Sequence, residues 1–202
     1  SNVSEQIPIQ GIRILREKSS EMPGVIHLEV GEPNVNTPSY IREAAIEALE
    51  KGMTHYTPNA GISSLRKAIV KNLKSKYNLM LQDNQIVVTA GAVNALMIAL
   101  LAVVNKGEEV LIPDPAWPNY EIMLSILGVI SKRYYLHPRK NFKPDLSQLE
   151  QLITKKSKAI LVNSPHNPTG AVIEKELMIK IVEFAKKHNL YIISDEVYDE
   201  IT

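Results

Sequence analysis

At 202 residues the sequence is long enough for one well-packed domain, and 45% hydrophobic with 22% charged residues is ordinary for a globular protein. A formal net charge of +1 predicts neither a nucleic-acid footprint nor a polyanionic partner. The absence of cysteine excludes disulfides, thiolate catalysis and zinc–cysteine sites, and it fits a cytoplasmic protein. No signal peptide is visible where Glu5 and Pro8 interrupt the N-terminus, and the longest apolar run, residues 95–104, is too short to span a bilayer.

In chain order, residues 1–24 are polar with a weak helical pattern over 12–18. Val25-Ile26-His27-Leu28-Glu29-Val30 alternates like a half-buried strand and stops at Gly31-Glu32-Pro33-Asn34. Pro38 and Ser39 open a helix with Ile41, Ala44, Ala45, Ala48 and Leu49 on one face, closing near Gly52. The loop Tyr56-Thr57-Pro58-Asn59-Ala60-Gly61 leads into a second amphipathic helix carrying Ile62, Leu65, Ile69 and Leu73. Strands are then predicted at 86–88, 110–112, 129–135, 159–162 and 191–193, with helices over 93–104, 120–127, 145–153 and around 177–185 between them. Such alternation predicts an α/β fold, a mainly parallel sheet with helices on both faces.

Four polar or small-residue clusters come directly after predicted strands, and a parallel sheet would bring all four to its carboxyl edge, where ligands bind. Thr89-Ala90-Gly91-Ala92 opens a helix whose free N–H groups would suit a phosphate, or it is a tight strand–helix turn. Asp114-Pro115-Ala116-Trp117 carries the single tryptophan, either a stacking surface for a flat ligand or ordinary packing. Asn163-Ser164-Pro165-His166-Asn167-Pro168-Thr169-Gly170 is a stiff turn. Ser194-Asp195-Glu196-Val197-Tyr198 ends a strand with a carboxylate that needs a cationic or hydrogen-bonding partner, or that caps a helix. A protonated heteroaromatic nitrogen would serve as that partner. The five histidines show no metal-ligand spacing and read as surface or loop residues, and there is no G-x-S-x-G elbow, Walker loop or G-x-G-x-x-G fingerprint.

Together with Gly31-Glu32-Pro33 and Tyr56-Thr57-Pro58-Asn59-Ala60-Gly61, these clusters resemble, in order, the class I/II aminotransferases, fold type I enzymes that use pyridoxal 5′-phosphate. The resemblance implies a three-layer α/β/α large domain. It divides the chain into an N-terminal arm and start of a small domain (1–37) and the first part of the cofactor-binding domain (38–202). By the same resemblance Asp195 faces the pyridine nitrogen, Asn167 and Tyr198 donate to the ring's phenolic oxygen, and Trp117 stacks on the ring. Gly91, Ala92 and Val93 cradle the phosphate, and Tyr56 reaches the phosphate of a neighbouring subunit, which implies a homodimer with shared sites. Gly31, Trp117 and Asn167 fall at substrate-binding positions. The implied substrates are an amino acid and a 2-oxo acid, with neither nucleic acid nor membrane as partner. The family's covalent lysine and its carboxylate-binding arginine are expected beyond Thr202, so the chain reads as a partial one, inactive alone and without a catalytic residue of its own. A carbon–sulfur lyase of the same fold type and a lysine-less ligand-binding or regulatory domain are the alternatives.

Overall fold

The computed structural model describes residues 11–33 and 35–201. The chain divides into two compact units with the boundary between Thr89 and Ala90. Among the described residues the first unit holds three α-helices, α1 (Gly11–Ser20), α2 (Ser39–Glu50) and α3 (Ser63–Tyr77). Helix α3 ends where Asn78 enters the left-handed region at φ 55°, its N–H bonding back to the Lys74 carbonyl.

Two expected strands are absent from this unit. Residues 25–30 and 86–88 have no ladder partner among the described residues, and alternating apolar residues make a strand only when a neighbouring backbone pairs with them. The Val88 N–H instead donates to Ala60 O at 3.0 Å, drawing the loop before α3 onto residue 88. Gly61 sits in that contact at φ +93°, where an added Cβ would lie 2.7 Å from Val88 Cγ2 and 2.8 Å from Val88 Cβ. Gly61→Ala therefore combines a steric clash with a disfavoured backbone conformation, and we expect a loss of roughly 2–4 kcal/mol. Urea denaturation measures it; an unchanged midpoint would show that the loop and residue 88 are not held together.

The second unit is regular. It contains α4 (Ala92–Val103), β1 (Glu109–Asp114), α5 (Pro118–Leu127), β2 (Ile130–Tyr135), α6 (Leu146–Leu152), β3 (Ser157–Asn163), α7 (Lys175–Lys187) and β4 (Tyr191–Asp195). The strands form one four-stranded parallel sheet in the order β2-β1-β3-β4. Side chains alternate across it with the strand period of two. Val110, Ile112, Ala159 and Leu161 enter a core with α4 and α5, whereas Leu111, Ile160 and Val162 enter a second core with α6 and α7. Both faces of β3 are thus buried, which is why its sequence is a continuous apolar run and not an alternating one. Each fully buried leucine or isoleucine contributes roughly 1.5–3 kcal/mol. The expected helices-on-both-faces α/β arrangement is what forms.

Helix boundaries follow local chemistry. Pro118 stands at the first position of α5, and Gly128 ends it at φ 65°. Asp145 caps α6 by accepting the Ser147 N–H at 2.9 Å. Among the described residues no helix is long and apolar enough to cross a membrane.

Candidate active site

Three of the loops that leave the carboxyl edge of the sheet build the site. β1 runs through Pro115-Ala116-Trp117 into α5, β3 into the turn 164–170, and β4 into residues 196–198. The parallel register sets Asn163 directly opposite Asp195, so residues 32 apart in sequence share one end of the sheet. The Asn163 amide ties the loops together. Its Nδ2 donates to Asp195 O (3.0 Å) and Pro165 O (3.2 Å), and its Oδ1 accepts the Asn167 N–H at 2.8 Å. The Ser164 N–H also donates to Asp195 O, at 3.2 Å.

Asp195 is 8% exposed, and both carboxylate oxygens have donors. Tyr120 Oη donates to Oδ2 at 2.6 Å, and the Val197 N–H donates to Oδ1 at 3.2 Å. Burial, and then the hydrogen bond to Asp195, push the Tyr120 phenol far above the ordinary tyrosine range, so it is a permanent donor. The Trp117 and Tyr120 rings meet edge to face, with centroids 5.5 Å apart and planes at 83°. Nearby, Asn167 Nδ2 donates to Tyr198 Oη at 3.2 Å. That leaves the Tyr198 hydroxyl proton, and the second amide proton of Asn167, available to another acceptor.

The turn around Asn167 is held by its own atoms. His166 Nδ1 is 2.8 Å from Thr169 Oγ1, the Gly170 N–H donates to His166 O at 2.7 Å, and the His166 N–H to Ala171 O at 2.9 Å. His166 was expected at a surface or loop position. It lies in the loop but only 5% exposed, and burial pushes its imidazole below the ordinary histidine range. The Asp114–Pro115, Ser164–Pro165 and Asn167–Pro168 peptides are cis.

Helix α4 begins beside the same edge. Gly91 precedes it at φ +83°, with nothing within 4 Å of an added Cβ, so the backbone angle and not space demands glycine. Ala92 and Val93 open the helix, whose first N–H groups have no intrahelical acceptor. Ala92, Ala95, Leu96 and Ala99 line a cavity of about 250 Å³ together with residues 193–197, Asp195 among them.

Gly91, Ala92, Val93, Trp117, Asn167, Asp195 and Tyr198 therefore all belong to the second unit. Gly31 and Tyr56 belong to the first, where both are exposed, Tyr56 fully so. The cut at 89/90 leaves the sequence-derived boundary at 37/38 inside the first unit. Sequence reasoning passed over Tyr120 and Asn163 as site residues. The spacing of Trp117 and Tyr120 at a helix start, three apart and hence on one face, is the signal that was there to find. Among the described residues no group of three or more histidine or acidic side chains is placed to hold a metal ion.

A parallel α/β sheet whose carboxyl edge gathers a buried carboxylate, an aromatic face and a helix N-terminus places these groups where open α/β sheets bind ligands. The family described as aminotransferase class I and II matches residues 23–202. Aspartate aminotransferase of Pyrococcus horikoshii is 42% identical over 188 residues, which are 93% of this chain and 48% of that protein. Aromatic-amino-acid aminotransferase 2 of Thermococcus litoralis is 38% identical over 197 residues, 96% of this chain and 50% of that protein. The solved aspartate aminotransferase of Thermotoga maritima matches with a TM-score of 0.95 and 39% identity, over 98% of this chain and 54% of that one. This chain belongs to the class I and II aminotransferases and has their fold. It spans about half the length of the curated relatives it matches.

Proposed function

We propose that the chain supplies the pyridoxal-phosphate-holding half of a cytoplasmic aminotransferase that moves an amino group between an amino acid and a 2-oxo acid. The observation that carries this reading is the buried Asp195 carboxylate, at the sheet edge it shares with Trp117, the Asn167–Tyr198 pair and the start of α4. The residues present fit the group. Asp195 has donors to both oxygens and still has lone pairs for a protonated ring nitrogen. Asn167 and Tyr198 each have a proton to give a phenolic oxygen. The first N–H groups of α4, at Ala92 and Val93 behind Gly91, suit a phosphate dianion, and Trp117 offers an aromatic face. When bound, the cofactor supplies an electron sink for the substrate's α-carbon. This chain's part is to hold the ring, keep its nitrogen protonated and orient it. Gly31, Trp117 and Asn167 are the proposed substrate contacts. The full exposure of Tyr56 supports a role towards a second subunit of a homodimer. The lyase alternative has less support, because the relatives above are all named as aminotransferases.

Trp117 is the only tryptophan, so its emission reports on one ring. Titrating the chain with pyridoxal phosphate should quench that emission saturably, and the complete protein should transfer the amino group of aspartate, or of an aromatic amino acid, to a 2-oxo acid. Release of pyruvate from a cysteine conjugate without amino transfer would favour the lyase. For the shared site, a Tyr56 variant mixed with a subunit lacking the covalent lysine should regain activity in the heterodimer; no rescue counts against Tyr56 acting across subunits.

A further inference from the structure

The carboxylate at the end of β4 has no cation among its described contacts. Helix α5 presents the Tyr120 hydroxyl to it, and the adjoining backbone presents the Val197 N–H. Asn163, at the end of β3, directs its amide to backbone carbonyls. The α4 residues lining the same cavity are Ala92, Ala95, Leu96 and Ala99. Glu196 accepts from Ser194 Oγ at 2.6 Å, and Tyr198 accepts from Asn167. Neutral donors thus stabilise the carboxylate without neutralising it, which leaves its charge for a cationic ligand.

Tyr120 is the stronger of the two donors by distance and lies 1% exposed. The same ring abuts Trp117, because Trp117 caps α5 and Tyr120 sits three positions on, over a turn begun by Pro118. One side chain therefore touches both groups that the cofactor reading needs. We infer that Tyr120 is a positioning residue: its O–H holds the Asp195 carboxylate in one orientation, while its ring edge holds the Trp117 indole, so that acceptor and stacking face are set before a protonated heteroaromatic ligand arrives. The inference rests on the cofactor reading of Asp195 given above.

The test follows the Asp195 carboxyl carbon resonance by NMR at neutral pH in the 202-residue chain, in Tyr120→Phe, and in a chain with 3-fluorotyrosine at position 120. Losing the donor should move that resonance one way, and the stronger hydrogen bond from the more acidic fluorinated phenol should move it the other way. Pyridoxal phosphate affinity near neutral pH, read from Trp117 emission, should fall about tenfold in Tyr120→Phe, which leaves the carboxylate free to turn, and not fall with the fluorinated ring, which keeps the hydrogen bond. Tyr120→Leu, which also removes the ring edge, should shift the unliganded Trp117 emission, whereas Tyr120→Phe should not. A merely structural tyrosine would not produce opposite shifts from phenylalanine and fluorotyrosine, and the fluorinated chain keeps the test open if Tyr120→Phe does not fold. An Asp195 resonance unmoved by both changes overturns the inference, as does a moved resonance with unchanged affinity. If the parent chain shows no saturable quenching, the cofactor reading fails instead, and the carboxyl resonance still decides whether Tyr120 positions Asp195.

Discussion

If Asp195 pairs with the cofactor's ring nitrogen as proposed, Asp195→Asn in the complete protein is expected to reduce amino transfer by roughly two to three and a half orders of magnitude, from the roughly 3–5 kcal/mol that removing one member of a buried charge pair costs. The change is nearly isosteric, so the packing of β4 and its register with β3 should survive. What disappears is the negative charge. In its place an amide presents one acceptor and one donor to the Tyr120 hydroxyl and the Val197 N–H, so one of those donors loses its acceptor. A ring nitrogen no longer held protonated is a weaker electron sink, and the loss should appear in both turnover and cofactor affinity. Rate, affinity and urea midpoint measured on the same preparation separate the chemical effect from misfolding. Turnover near that of the parent protein would remove Asp195 from the ring-nitrogen role.

Asn163→Ala should damage stability and site together. Asn163 is 3% exposed and makes three hydrogen bonds to the backbone. Alanine leaves the Pro165 carbonyl and the Asn167 N–H without those partners, while Asp195 O keeps the Ser164 N–H. Two orphaned groups, one at buried Pro165 and one at half-buried Asn167, each costing about 1–3 kcal/mol, suggest a loss of about 3 kcal/mol, a large share of the roughly 5–15 kcal/mol that holds a domain folded. Because Asn163 anchors the Asn167 backbone, the Asn167–Tyr198 pair should loosen too, and Trp117 quenching by pyridoxal phosphate should weaken. Asn163→Asp keeps an acceptor for Asn167 but turns a negative oxygen towards two carbonyls, so it should be no milder. A loss under about 0.5 kcal/mol, typical of an uninvolved surface change, would show that the turn is held by other contacts.

Much of this arrangement is written locally. The run Ala159-Ile160-Leu161-Val162, bounded by Lys158 and Asn163, is legible as a buried strand, and the spacing of Leu177, Ile181 and Ala185 as a helix face, because burial imposes periods of two and 3.6 on the chain. The turn chemistry of residues 163–170 and the acid at 195 are equally local, and strand–helix alternation is enough to send both to one sheet edge. Pairing is not local. Residues 25–30 and 86–88 carry strand-like patterns yet form no ladder among the described residues, since a strand exists only with a neighbour. The apolar stripe of α2 is legible as a face, but Ile41 and Leu49 remain exposed in the structure, because periodicity names a face without naming what covers it. The hydrogen bond from Tyr120 to Asp195 joins residues 75 apart. Hydrophobic patterning is non-directional and places Tyr120 in the core whatever its hydroxyl does. Only strand order, register and the entry angle of α5 aim that hydroxyl at the carboxylate.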